Sequence, residues 1–268
     1  MYIRPEQLNQ RRATDAVRIV DVRADWEGKP SGQEAYRAGH IPGAVHADWQ
    51  RDWGVTQDQV DGMLPGPAQF AAVLSRLGID KDTFVVAYDD NELFTASRFV
   101  WALLEYGHQR AAVLDGGFPA WVAAGLPVAT GQEPPPPQRT YDLGPGAGTR
   151  RSMAQVRALL GRDDVDLVDC RMDATYLSAG AHIPGARRFP APDLVGEDGF
   201  FRDPAGIAEL AGRAGLRAER ETVLYCGGGV SAAAALVALR HAGFNNLALY
   251  DGSWSEWSRY PDNPVEEH

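Results

Sequence analysis

The residues with the most chemical promise lie in Thr222-Val-Leu-Tyr-Cys-Gly-Gly-Gly-Val-Ser231, followed by the alanine-rich run Ala232–Leu239. A short β-branched and apolar run ends at Cys226, three glycines follow, and helical composition takes over after Val230 and Ser231. That order predicts strand, tight loop and helix, with a thiol at the mouth of the loop. Glycines let successive backbone N–H groups point inward as an anion-binding concavity, and the helix N-terminus adds partial positive charge. Both favour negative charge on sulfur, the form in which a cysteine is a nucleophile. A buried structural cysteine is the competing reading; the glycines and the following helix favour nucleophilic catalysis.

The rest of the composition narrows the classes available. With 268 residues, two domains are the natural expectation. Hydrophobic content of 44% and charged content of 23% are those of an ordinary soluble globular chain. A net charge of −10 argues against nucleic acid or an anionic membrane surface as the main partner. No apolar run reaches membrane-span length, and the N-terminal MYIRPEQL lacks a signal-peptide hydrophobic region. Two cysteines, Cys170 and Cys226, make no disulfide framework, so a cytoplasmic protein with reduced thiols is expected. One reactive Cys and scattered His give no ligand cluster, so no metal or organic cofactor is indicated.

Four phrases occur twice in the same order. IVDVR (Ile19–Arg23) matches LVDCR (Leu167–Arg171), and YRAGHIPGA (Tyr36–Ala44) matches YLSAGAHIPGA (Tyr176–Ala186). Phe84–Tyr88 matches Thr222–Tyr225, and VLDGGFPAW (Val113–Trp121) matches LYDGSWSEW (Leu249–Trp257). The chain is a tandem duplication. The offset shrinks from 148 (Asp21/Asp169) through 142 (His40/His182) and 137 (Tyr88/Tyr225) to 136 (Asp115/Asp251). The first copy is therefore longer, with extra residues before its HIPGA phrase and in segment 47–69. That segment is rich in polar residues and turn formers; its aromatic and acidic content would let it reach over the other copy, and a solvated loop is the alternative.

Strands are predicted over Val17–Val22, Phe84–Tyr88 and Ala111–Leu114, with helices over Ala68–Leu77 and Thr95–Tyr106. The second copy repeats this with strands Val165–Val168, Thr222–Tyr225 and Leu247–Tyr250 and helices Ile207–Ala214 and Ala232–His241. Such alternation predicts an α/β fold: two tandem domains, each a mainly parallel sheet with helices on both faces and ligand sites at the carboxyl ends of strands. Gln132-Glu-Pro-Pro-Pro-Pro-Gln138 and Gly144–Gly148 read as an extended spacer. The expected division is 1–130, a linker 131–150, and 151–268.

Cys226-Gly-Gly-Gly-Val-Ser-Ala232, the paired HIPGA phrases and Tyr250–Trp257 (YDGSWSEW) carry a family resemblance. Over nearly its whole length the chain resembles the two-domain rhodanese-type sulfurtransferases, and its loop is more similar to the 3-mercaptopyruvate branch than to the thiosulfate branch. The resemblance implies two rhodanese-like domains and double displacement. Cys226 takes a sulfane sulfur from a small donor (3-mercaptopyruvate or thiosulfate) as a persulfide and passes it to a thiophilic acceptor such as cyanide, a thiol or sulfite. A thiol reductant such as thioredoxin is a candidate partner. The alternative is a non-enzymatic persulfide-relay or interaction protein loaded by another protein.

The matched position in the first copy, Asp89-Asp-Asn-Glu-Leu-Phe94, has neither Cys nor a glycine run, so that copy is expected to be non-catalytic. Around Cys226, the residues assigned to substrate and persulfide are Gly227, Gly228, Gly229, Val230 and Ser231, with Ser231 suited both to cap the helix and to assist the donor. Active members of the family carry donor-gripping arginines between the Asp-x-Arg strand and HIPGA. Here Met172–Ala181 contains none, and Arg187 and Arg188 are the nearest candidates. Gly62 stands where the mercaptopyruvate branch often has a His. His40, His182, Asp21/Arg23 and Asp169/Arg171 occur in both copies and read as scaffold, with Arg171 able to lend charge near the site. Cys170 reads as a small core residue in the place of Val22. Trp254 and Trp257 read as mainly core, with Trp254 a candidate pocket wall. A Cys-dependent phosphatase would need Arg six positions after its Cys, and position 232 is Ala.

Overall fold

A computed structural model describes residues 1–12, 17–26 and 28–268. The chain divides into two compact units, Met1–Val55 with Leu64–Ala147, and Thr56–Met63 with Gly148–His268. The extra segment 47–69 is thus shared between units.

The strands of the first copy are β1 (Tyr2–Ile3), β2 (Val17–Asp21), β3 (Val45–His46), β4 (Val55–Gln57), β5 (Val60–Met63), β6 (Phe84–Tyr88) and β7 (Ala111–Leu114). Five form a sheet of order β1-β7-β6-β2-β3, parallel throughout, while β4 and β5 pair only with each other. A parallel sheet covered on both faces needs apolar residues at successive positions, and Val85 to Tyr88 are completely buried. The helices are α1 (Pro5–Arg11), α2 (Gly32–Ala38), α3 (Pro67–Arg76), α4 (Phe94–Glu105) and α5 (Gly117–Ala123). Before β4, Trp49–Trp53 makes one π-helical turn, started by the Asp48 carboxylate accepting from the N–H of Gln50 and Arg51.

The second copy repeats the plan with β8 (Arg150–Arg151), β9 (Val165–Asp169), β10 (Ala181–His182), β11 (Arg187–Arg188), β12 (Glu221–Tyr225), β13 (Leu247–Tyr250) and β14 (Glu266–Glu267). Its parallel sheet has the order β11-β9-β12-β13-β8. Its helices are α6 (Met153–Arg157), α7 (Asp173–Ala179), α8 (Pro204–Arg213), α9 (Val230–His241) and α10 (Ser253–Trp257). Alanine is the best helix former, and Ala232–Leu239 of α9 is buried all round. Arg240 ends α9 with the positive charge its carbonyl end favours. None of the described helices is long and apolar enough to cross a membrane.

The repeat runs further than its four phrases. Trp121 donates its indole N–H to Pro127 O at 2.8 Å, and Trp257 donates to Pro264 O at 3.0 Å. Glu133 accepts from the Gly43 N–H and faces His40 at 3.5 Å, just as Glu266 accepts from the Gly185 N–H and faces His182 at 3.5 Å. Glu133 belongs to the expected spacer, yet it completes the first HIPGA turn. Further bonds from Gly131 to Arg37, Arg139 to Ser75 and Ala147 to Glu105 tie this proline-rich stretch into the first unit.

Candidate active site

The site is built on a buried polar hub at the carboxyl end of β9 and β12. Asp169 accepts from the Arg171 backbone N–H at 3.0 Å and Nε at 3.0 Å, from Nη2 at 2.6 Å, and from the Tyr225 hydroxyl at 2.8 Å. The Tyr225 hydroxyl in turn accepts the Ile183 N–H at 3.1 Å, and Arg171 Nη2 reaches Ala181 O at 2.9 Å. Asp-x-Arg, HIPGA and the residue before Cys226 are thereby locked together. Burial, ahead of the Asp169 charge, pushes the Tyr225 phenol up, so Tyr225 stays a hydrogen-bond donor. The first copy holds the same hub in Asp21, Arg23, Tyr88, Ile41 and Gly39. The hub is thus common to both copies, whether or not a cysteine follows it.

Cys226 follows β12 directly and is 2% exposed. Its carbonyl accepts the Trp254 N–H at 2.9 Å, and Gly227 O accepts the Ser255 N–H at 2.9 Å. Its own N–H donates to Ser253 Oγ at 3.1 Å, while that hydroxyl donates to Tyr250 O at 2.9 Å. Ser253 is fully buried at φ +53°, a strained setting for a residue with a side chain. Sequence reasoning missed Ser253. The signal was a mismatch inside a matched phrase, DGG in the first copy against DGS in the second. Trp257 is core, whereas Trp254 is half-buried with the Arg171 guanidinium 4.6 Å from its ring centre.

The three glycines are not equivalent. Gly229 sits at φ +77° as the residue that starts α9, and there the backbone itself asks for glycine. A Cβ on Gly227 or Gly228 would meet nothing within 4 Å. Those two leave open space beside the thiol. Ser231 is not the helix cap: Gly229 holds that position, and Ser231 is the second helical residue, half-buried beside Val230. Glycine caps α9 without a side-chain hydrogen bond, which suits that end to an anion.

The two candidate arginines separate because strand side chains alternate. Arg188 is level with Asp169, at the site end of the sheet. It donates to Arg171 O at 2.9 Å and to Asp173 at 2.6 Å, and lies 4.0 Å over the Tyr176 ring. Arg187 turns the other way, 3.4 Å from Asp166, which also faces Arg220 at 3.6 Å. Asp166 is level with Thr222, four residues before Cys226, or about 13 Å down the strand. Arg187 is an ion-pair partner on the sheet and is not brought to the thiol.

The first copy shows what its own loop holds. The Asp89 carboxylate accepts N–H bonds from Asn91 at 3.2 Å, Leu93 at 3.1 Å and Ala96 at 2.8 Å. Complete burial pushes the acid up to about 7 even though those bonds pull it down. The Asp89 carbonyl accepts the Phe118 N–H at 2.9 Å, as Cys226 O accepts that of Trp254.

Comparison with known proteins agrees with this geometry. The Rhodanese-like domain matches residues 4–124 and again 152–260. The chain is 36% identical to a probable 3-mercaptopyruvate sulfurtransferase of Pseudomonas aeruginosa, covering 97% of this chain and 95% of that one. It is 34% identical to the putative thiosulfate sulfurtransferase SseB of Mycobacterium tuberculosis, covering 95% and 92%. Among solved structures, SseA from Escherichia coli, a 3-mercaptopyruvate sulfurtransferase, superposes with a TM-score of 0.86 at 27% identity over 94% of this chain and 98% of that one. Two matched α/β units, one ending its central strand in a cysteine loop and the other in a carboxylate, place this chain in the family of two-domain rhodanese-type sulfurtransferases.

Proposed function

We propose that the enzyme works through a Cys226 persulfide, taking a sulfane sulfur from a small anionic donor and giving it to a thiophilic acceptor such as cyanide or a thiol. Attack of the Cys226 sulfur on the donor sulfur forms the S–S bond as the donor's remaining fragment leaves. The acceptor then takes the outer sulfur and returns the thiol. The observation that carries this reading is Asp89. At the same strand–loop–helix junction the first copy binds its own carboxylate with three backbone N–H groups. In the second copy a thiol stands at that strand end, the loop consists of glycines, and the following helix has no side-chain cap. An anionic persulfide is the charge such a junction accepts.

Arg188 is the cation we assign to the donor's carboxylate or sulfonate. Its Nη1 lies 3.6 Å from the buried Asp169 carboxylate, while its Nη2 pairs with Asp173, which is 79% exposed, and an ion pair to so exposed a group is weak enough to exchange for substrate. The donor is a small molecule, because Cys226 is too buried to meet another protein's cysteine directly.

The test is kcat/KM for 3-mercaptopyruvate and for thiosulfate with cyanide as common acceptor, in wild type, Arg188→Gln and Arg187→Gln. Turnover with at least one donor is expected, with KM raised about tenfold by Arg188→Gln and unchanged by Arg187→Gln. No turnover with either donor, alongside loading of Cys226 from a persulfidated protein, would overturn the small-donor reading in favour of a relay.

A further inference from the structure

The transfer reaction uses one thiol, and the second stands beside it. Cys170 and Cys226 are both free, at 0% and 2% exposure. Asp169 and Tyr225 are the last register pair of β9 and β12, and the Cys170 N–H continues the ladder to Tyr225 O at 2.8 Å. The next residue on each chain is a cysteine. Asp169 and Tyr225 share a face, as their hydrogen bond requires, so by strand alternation both cysteines turn to the opposite face. Neighbouring strands lie about 4.8 Å apart, inside the roughly 4.4–6.8 Å Cα separation a disulfide spans. The first copy has Val22 in this place, with its N–H on Tyr88 O at 2.9 Å, beside Asp89. The second thiol therefore occurs only where there is a reactive cysteine to meet it.

We propose that Cys170 is a resolving thiol: when a hydroperoxide oxidises Cys226 to a sulfenic acid, Cys170 closes a Cys170–Cys226 disulfide that holds the catalytic sulfur in a recoverable state. In the first step the peroxide O–O bond breaks, a Cys226 S–O bond forms, and water or alcohol leaves. The peroxide gains two electrons from sulfur. In the second, the Cys170 sulfur attacks the Cys226 sulfur, the S–S bond forms and the S–O bond breaks. The Cys170 proton leaves with that oxygen as water. A dithiol reductant returns the two electrons and both protons by exchange.

The same pair need not discharge the persulfide in turnover. Burial, and then the charge of Cys226, push the Cys170 thiol up, so beside an anionic neighbour it keeps its proton and is a poor nucleophile. A sulfenic acid is uncharged, which removes one of these two influences.

The proposal rests on Cys226 being the reactive sulfur, but its test does not measure transfer alone. Wild-type protein is treated with equimolar hydrogen peroxide without reductant, alkylated, digested and mapped by non-reducing mass spectrometry. A Cys170–Cys226 cross-linked peptide is expected, with loss of transfer that dithiothreitol restores. Cys170→Val, which copies Val22, should keep basal transfer, form no cross-link, and pass under the same peroxide to a Cys226 sulfinic acid that dithiothreitol does not rescue. Cys170→Ser replaces it if the valine variant fails to fold. Cys226 sulfinic acid in the wild type without the cross-link overturns the proposal, as does a variant that recovers as fully as wild type. A cross-link in an enzyme that moves no sulfur would leave this proposal standing and sink the persulfide reading instead.

Discussion

The Asp89–Leu93 loop and the Cys226–Gly229 loop are two answers to one geometric problem. Each leaves the central strand of a five-stranded parallel sheet and must turn at once into a twelve-residue helix, α4 or α9. The first does so with two non-glycine residues in the left-handed region, Glu92 at φ +53° and Leu93 at φ +65°; the second needs only Gly229 at φ +77°. The first fills its own N–H cradle with a carboxylate. The second brings no side-chain acceptor in its three glycines, and the backbone N–H of its cysteine donates to Ser253. One loop is closed by its own carboxyl group, and in the proposed function the other takes an anion that arrives with the substrate. The two copies therefore share the strand–loop–helix junction and differ in the side chains the loop brings to it.

That contrast can be broken most sharply at Cys226. Cys226→Ser should lower sulfur transfer by about a thousandfold or more, with the thermal midpoint little changed. Residual transfer near the wild-type rate would mean the cysteine loop is not the active one.

The Asp89 side of the contrast shows in the pH dependence of stability. The unfolded acid titrates near 3.8 and the folded one near 7, so between these values the folded chain holds a proton the unfolded chain has released. Stability from this group is complete below about pH 4 and is lost as pH rises through 7, by on the order of 4 kcal/mol. Urea unfolding of wild type and Asp89→Asn across pH 4–8 should show this slope in the wild type and its absence in the variant. Parallel curves would show that Asp89 is ionised throughout and that its cradle outweighs its burial.

Ser253→Ala should come next, at about 1–3 kcal/mol, since it strips the Cys226 N–H of its partner inside the core. Ser253→Gly, the residue of the first copy, loses the same bond but relieves the left-handed strain, so it should fall closer to wild type in chemical denaturation. The smallest effects belong to the loop itself. Gly229→Ala should cost about 1–2 kcal/mol through its positive φ, whereas Gly228→Ala, facing open space, should stay within about 0.5 kcal/mol. Equal costs at the two positions would contradict the separation of backbone need from open space.

The amino-acid sequence carried the fold a long way because parallel strands buried on both faces must read as short apolar runs. Val165–Val168 and Thr222–Tyr225 fall within β9 and β12, and Phe84–Tyr88 is β6 itself. Two-residue edge strands such as β8 and β11 leave no periodic signal, since two residues define no pattern. Glu133 and Glu266 escaped for a related reason: one sat among prolines and the other near the chain end, and only the turn each completes makes them a pair. Serine favours the cap position, but the cap of α9 is Gly229, two positions before Ser231, and the helix starts at Val230.

What the sequence by itself determined was the duplication, the single cysteine on a glycine loop, and the acidic residue in its place in the other copy. These are properties of residue type and order. Tertiary structure alone decided which way neighbours point. It put Arg188 beside the Asp169 hub at the carboxyl end of the sheet and turned Arg187 to Asp166, because alternate residues of a strand face opposite sides of the sheet. It set Ser253 behind Cys226 across 27 residues of chain, and Cys170 beside it across the strand register. At Asp89 it turned a carboxylate, which sequence could read only as the absence of a thiol, into the clearest indication of what the Cys226 loop is shaped to hold.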